Sequence, residues 1–153
     1  MTTVSSGTIY VVSSGQSADG IVVQQGGNLF VSSGGTITNA IDNGNVVLWG
    51  GTAVSTTISG DAYHAAFESI VAGVDSGAHV SGGYQSVDAG GVAIGATLQG
   101  GSQFVSGTAI GTVIGSGSLE QVYGITSDTT VESGGILTLF GGAQMTGTTT
   151  INA

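Results

Sequence analysis

The sequence predicts an all-β fold, a single-stranded parallel β-helix (β-solenoid) of about eight rungs of 16–19 residues. Three observations carry that reading: a glycine punctuation of nearly constant period, two aliphatic columns in step with it, and a complete lack of proline. Gly26, Gly44, Gly60, Gly82, Gly100, Gly117 and Gly134 follow one another at steps of 18, 16, 22, 18, 17 and 17 residues. Between them run Val12, Val31, Leu48, Ile70, Val87, Val105, Val122 and Leu139, then a second column of Val23, Ile41, Ile58, Val80, Leu98, Ile114 and Val131. The columns keep step with the glycines even across the single long interval. A period this short is too small for a pair of helices, which needs about 33 residues or more.

The local chemistry is that of strands. Asn28-Leu29-Phe30-Val31 and Thr129-Thr130-Val131 are β-branched or aromatic runs beside glycine and serine. Two strands of about four residues joined by glycine bends fit the period, because glycine enters the positive-φ bends without a Cβ clash. Proline is absent, as expected where nearly every strand N–H must donate to the next rung. Rungs stacked about 4.8 Å apart predict a rod of roughly 35–40 Å whose two aliphatic columns face each other. The whole chain, 1–153, reads as one such repeat domain, a piece or subunit of a longer array.

Alternation along a strand assigns the remaining columns. Those flanking the first core column point outward and mix small polar residues with aromatics, Phe30 and Phe104 on one side, Trp49, Tyr123 and Phe140 on the other. The column two residues before the core position (Tyr10, Leu29, Val46, Glu68, Gln85, Gln103, Glu120, Leu137) shares the inward face yet holds acids and amides. It is expected at a half-buried corner with stacked amides. The long interval inserts residues 61–67, around Tyr63, His64 and Phe67, as either a functional loop or a tolerated bulge.

Charge excludes several functions. Nine acids and no Lys or Arg give a net charge of −9, which removes the phosphate neutralisation that nucleic-acid binding rests on. Anionic membrane surfaces are excluded for the same reason. No apolar run is long enough for membrane insertion, and the first sixteen residues carry no basic, then apolar, leader pattern. With 40% hydrophobic residues the chain can bury a core, so disorder does not explain its composition.

Catalytic chemistry has little to stand on. Asp61, His64 and Glu68 match no strong metal spacing, and no cysteine supports them. The aspartates fall in different columns, unlike the nine-residue calcium β-roll. Glu68 and Glu120 share a column three rungs apart, about 14 Å, too far for paired carboxylate roles. His79 sits in an outward column of Thr, Ala and Val, where an inert exposed side chain is the simpler reading. No nucleophile elbow or phosphate loop is present. The chain is read as a non-enzyme needing no cofactor and no metal.

Gly82-Gly83-Tyr84-Gln85-Ser86-Val87 and the run Gly100-Gly101-Ser102-Gln103-Phe104-Val105-Ser106-Gly107-Thr108-Ala109 resemble the AIDA-type repeats of self-associating autotransporter adhesin passengers. The run from Val122 to Val131 matches the second half of that repeat, while residues 60–69 depart from it. The resemblance implies a right-handed β-helix at the bacterial cell surface, extracellular, serving adhesion, autoaggregation or biofilm formation, with glycosylation of Ser or Thr in some members. It implies partners of two kinds: self-association, side by side or end to end, or a host or cell-surface ligand. A head-to-tail extracellular filament is the alternative, and a glycan-binding solenoid a second one. The candidate interaction surface is Trp49, Tyr63, His64, Phe67, Phe104, Tyr123 and Phe140.

Overall fold

A computed structural model describes residues 1–60 and 64–152, and they form a solenoid of parallel strands with about eight turns. Each turn has three strands, not the two expected from the period. One sheet stacks nine short strands, from Thr3–Val4 to Thr150–Ile151. A second stacks eight passes, from Ile9–Val12 through Ser102–Val105 to Ile136–Leu139. The third runs from Ser17–Asp19 to Gln144–Thr146. In the middle of the rod, Asn45–Val54, Phe67–Ser76 and Tyr84–Ile94 run unbroken through the corner between the second and third sheets. Sequence alone hid the third strand because its inward column is Ala18, Ile37, Ala53, Asp75, Ala93, Ala109, Thr126 and Met145. Apart from Ile37 and Met145 these are small or polar residues, which make no aliphatic signal.

The first predicted column keeps its register throughout: Val12, Val31, Leu48, Ile70, Val87, Val105, Val122 and Leu139 are successive partners, all buried except Leu139 on the last rung. The second needs one correction. Ile41 pairs with Val22 and Thr57 on the outward side, so Asp42 occupies the inward position between Val23 and Ile58. A one-residue displacement in a strand exchanges its faces, and here it places a carboxylate at 0% exposure in an apolar column while Ile41 is 39% exposed.

The corner after the third sheet sets the bend of every rung. Gly20, Asn39, Ser55, Gly77, Gly95, Gly111, Asp128 and Gly147 all hold φ between 50 and 73°. From Gly20 to Asp128, each backbone N–H donates to a carbonyl of the next rung, for example Asn39 to Val54 at 2.9 Å and Gly95 to Ile110 at 2.7 Å. Glycine and short polar residues tolerate this left-handed conformation better than residues with an ordinary Cβ. Gly95→Ala is a clean test, since a Cβ there meets nothing within 4 Å. Urea unfolding should show a loss of about 1–2 kcal/mol from backbone strain alone, with a smaller loss for Gly95→Asn, the residue the chain itself uses at position 39.

Apolar burial is divided along the rod. One cluster fills the first three rungs and continues through Ile70, Val87, Ala93, Val105, Ala109 and Val122. A separate column joins Ile58, Ala66, Val80, Leu98, Ile114 and Val131. Between them lie Glu68, Gln85, Gln103 and Glu120, each fully buried and not half-buried as expected.

Candidate functional site

The outward side of the second sheet carries one aromatic residue on each of seven consecutive rungs: Phe30, Trp49, Phe67, Tyr84, Phe104, Tyr123 and Phe140. The third and nine-stranded sheets carry none among the described residues, and Tyr10 lies in the inward column of the first rung. Strand alternation explains the placement: each ring sits one residue before or after an inward aliphatic or amide position. Trp49 is 64% and Tyr123 50% exposed, with Phe67, Tyr84 and Phe140 also exposed. Neighbouring rungs bring rings into contact. Tyr123 and Phe140 stack with centroids 4.3 Å apart and planes 5° from parallel, and Tyr84 and Phe104 lie tilted at 6.0 Å. Such contacts contribute about 0.5–1.5 kcal/mol beyond area burial and hold the exposed rings in place.

Polar groups separate the rings. Asn45 donates its side-chain amide to Asn28 at 3.0 Å, and the Ser86 hydroxyl donates to Asp88 at 3.0 Å. Five of the expected surface residues, Trp49, Phe67, Phe104, Tyr123 and Phe140, therefore share one face. Tyr84 and Phe30 join them, and alternation from the core columns was the signal for both. Tyr63 and Asp61 lie outside the described residues. His64 is elsewhere, lining a depression of about 270 Å³ with Gln25, Asn43, Ser59 and Gly60, beside the nine-stranded sheet. His79 is half-buried, in register with Thr57 and Thr97 on the outward side of that sheet.

Glu68 and Glu120 stay three rungs apart, as the spacing predicts, but the third sheet brings Asp75 to Glu68 through Gln85. The Gln85 amide nitrogen donates to Glu68 and to Asp75, both at 2.8 Å, and its carbonyl accepts from Gln103 at 2.5 Å. Thr112 donates to Gln103 at 3.2 Å, Thr126 donates to Glu120 at 3.2 Å, and Thr126 shares a 2.7 Å hydrogen bond with Thr129. Burial pushes Asp42 up to about 8, against the N–H of Gly44, with the Glu68 charge adding to the rise. Burial also raises Asp75 to about 6, Glu120 to about 7, and Glu68 well above the usual carboxylate range, the last with help from Asp75. A substrate has no path to these groups, each at most 1% exposed. Their arrangement is a polar spine in the core. No group of three metal-ligating side chains occurs among the described residues, and no helix there is long and apolar enough to cross a membrane.

No protein-family profile matches the sequence, and no curated protein matches it. A solved structure does: the crystal structure of a TibC-catalyzed hyper-glycosylated TibA fragment superposes with a TM-score of 0.80 at 29% identity, over 89% of this chain. The repeats are of the AIDA type. The chain spans about half of that fragment, 53% of its length. In these AIDA-type repeats the Gly-Gly-x-Gln-x-Val segment has a plain structural meaning. Its Gln is the buried spine residue of Gln85 and Gln103, its Val the inward Val87 and Val105, and the residue between them faces outward as Ser86 or Phe104.

Proposed function

We propose that this AIDA-type solenoid is an adhesive module of the bacterial cell surface that works by contact and performs no catalysis, serving cell adhesion, autoaggregation or biofilm formation. The row of exposed rings along one flat sheet carries the reading. A row of exposed aromatic rings on one face marks a place where something docks. The kinship with a glycosylated solenoid of the same repeat supports it, and the hydroxyls on the outward columns offer Ser and Thr for glycosylation.

Charge sets the conditions. Two copies, each acidic with a formal charge of −9 and no Lys or Arg, repel at low ionic strength, and salt screens that repulsion over about 10 Å at 0.1 M. Beads displaying the chain should therefore clump more readily as salt rises. The triple variant Phe104→Ala, Tyr123→Ala, Phe140→Ala should settle no faster than bare beads. Absence of clumping and of binding to cells at every salt concentration counts against an adhesive role.

A further inference from the structure

Five of the outward rings, four exposed and Phe104 half-buried, form a diagonal. Phe67 and Tyr84 stand one residue before the spine column, Phe104 one residue after it, and Tyr123 and Phe140 two residues further along the strand. From Phe67 to Phe140 the track crosses four residues of strand and climbs four rungs, one ring per rung. With about 3.3 Å per residue and about 4.8 Å per rung, it is roughly 23 Å long. It lies on a flat sheet with no pocket walls, so it suits an extended polymer better than a compact molecule.

We propose that this diagonal is a binding track for a neutral oligosaccharide of about five pyranose units, the class of ligand that would underlie the adhesive reading above and on which this inference rests. The axial C–H face of a pyranose is apolar and weakly positive, and it packs on the negative face of an aromatic ring. The polar groups between the rings decide the occupant. Ser102 and Gln121 are outward beside Tyr84 and Phe104, and an apolar partner would bury them unpaired at a cost of about 1–3 kcal/mol each. A sugar's hydroxyls satisfy them. Charge narrows the class further: with no Lys or Arg in the chain and Asp88 in the Tyr123 column, an anionic glycan is repelled and a second copy meets a like charge. A neutral polyol meets neither obstacle.

Calorimetric titration of the full chain with cellopentaose, maltopentaose and chitopentaose tests the track. At least one pentasaccharide should bind, with its disaccharide about tenfold weaker or more because it reaches only two rings. Phe104→Ala and Tyr123→Ala should each weaken it about tenfold, with far-UV circular dichroism unchanged because both side chains point outward. Ile110→Ala, exposed on the third sheet away from the ring row, should bind as the parent does. No heat from any pentasaccharide at millimolar concentration overturns the proposal, as does binding that both variants retain. Sedimentation showing self-association lost in the same variants, with no sugar bound, overturns it in favour of a second copy. Bead clumping reads the adhesive role separately, so sugar binding without adhesion, or adhesion without sugar binding, shows which of the two readings fails.

Discussion

Raising the pH from about 4 to about 8 is expected to destabilise this protein, the reverse of ordinary acid denaturation. Most proteins lose stability in acid because paired carboxylates must be protonated. Here four buried carboxyls are held in the neutral form: Asp42 at about 8, Glu120 at about 7, Asp75 at about 6, and Glu68 well above its usual range. In the unfolded chain they ionise near pH 4. A carboxyl whose folded pKa is raised contributes its full stability below the unfolded value. It loses that stability as pH climbs toward the folded value, after which the loss levels off. Each unit of difference is about 1.4 kcal/mol, so the four together weigh several kcal/mol against the fold at pH 8. Asp19 and Asp128 are exposed and held low by hydrogen bonds from Thr38 and Asn39, and from Thr148 and Ser127. They act in the opposite sense, and only in acid. Thermal unfolding followed by circular dichroism should show Tm falling by more than about 10 °C across this range. Asp42→Val restores the apolar column of Val23 and Ile58, and should raise Tm at pH 8 and remove the upper part of the slope. A Tm that climbs steadily from pH 4 to pH 8 would contradict the neutral spine.

Gln85→Leu is expected to be the most damaging conservative-volume change in the chain. It deprives Glu68 and Asp75 of their shared donor and Gln103 of its acceptor in one step. An orphaned buried polar group costs about 1–3 kcal/mol; Glu68 and Asp75 keep the hydrogen bond they share with each other, so the expected loss is several kcal/mol against the about 5–15 kcal/mol of a typical domain. Glu68→Val with Asp75→Ala should rescue much of that loss. Val46 already occupies the Glu68 column, and Ala53 and Ala93 flank Asp75 in its own column. Replacing a whole buried polar set by packed apolar residues is often neutral or stabilising, and residues in one network do not add. Urea unfolding of the single, double and triple variants checks this. A triple variant no more stable than Gln85→Leu would show that the spine contributes something other than mutual satisfaction.

The repeat, the first aliphatic column and the outward rings were legible because each writes a strong letter at nearly every rung. The third sheet was not, since Ala, Thr and Asp in its inward column resemble a loop as much as a strand. Asp42 misled for a related reason: Ile41 beside it satisfies the aliphatic pattern, and only the register with Val23 and Ile58 shows which of the two faces in. The depth of the amide column was hidden as well. Gln85 and Gln103 read as half-buried corner residues until Glu68, Asp75 and Thr112 supply partners for full burial.

Every rung of this rod is bonded only to the rungs above and below it, and that gives it an unusual response to force. A rung of about 18 residues adds about 4.8 Å to the rod while folded, but roughly 60 Å when pulled straight. A tether built this way lengthens about twelvefold, one turn at a time, and each lost turn re-forms on the template of its neighbour when tension drops. Under tension such a rod behaves as a spool that yields before it snaps.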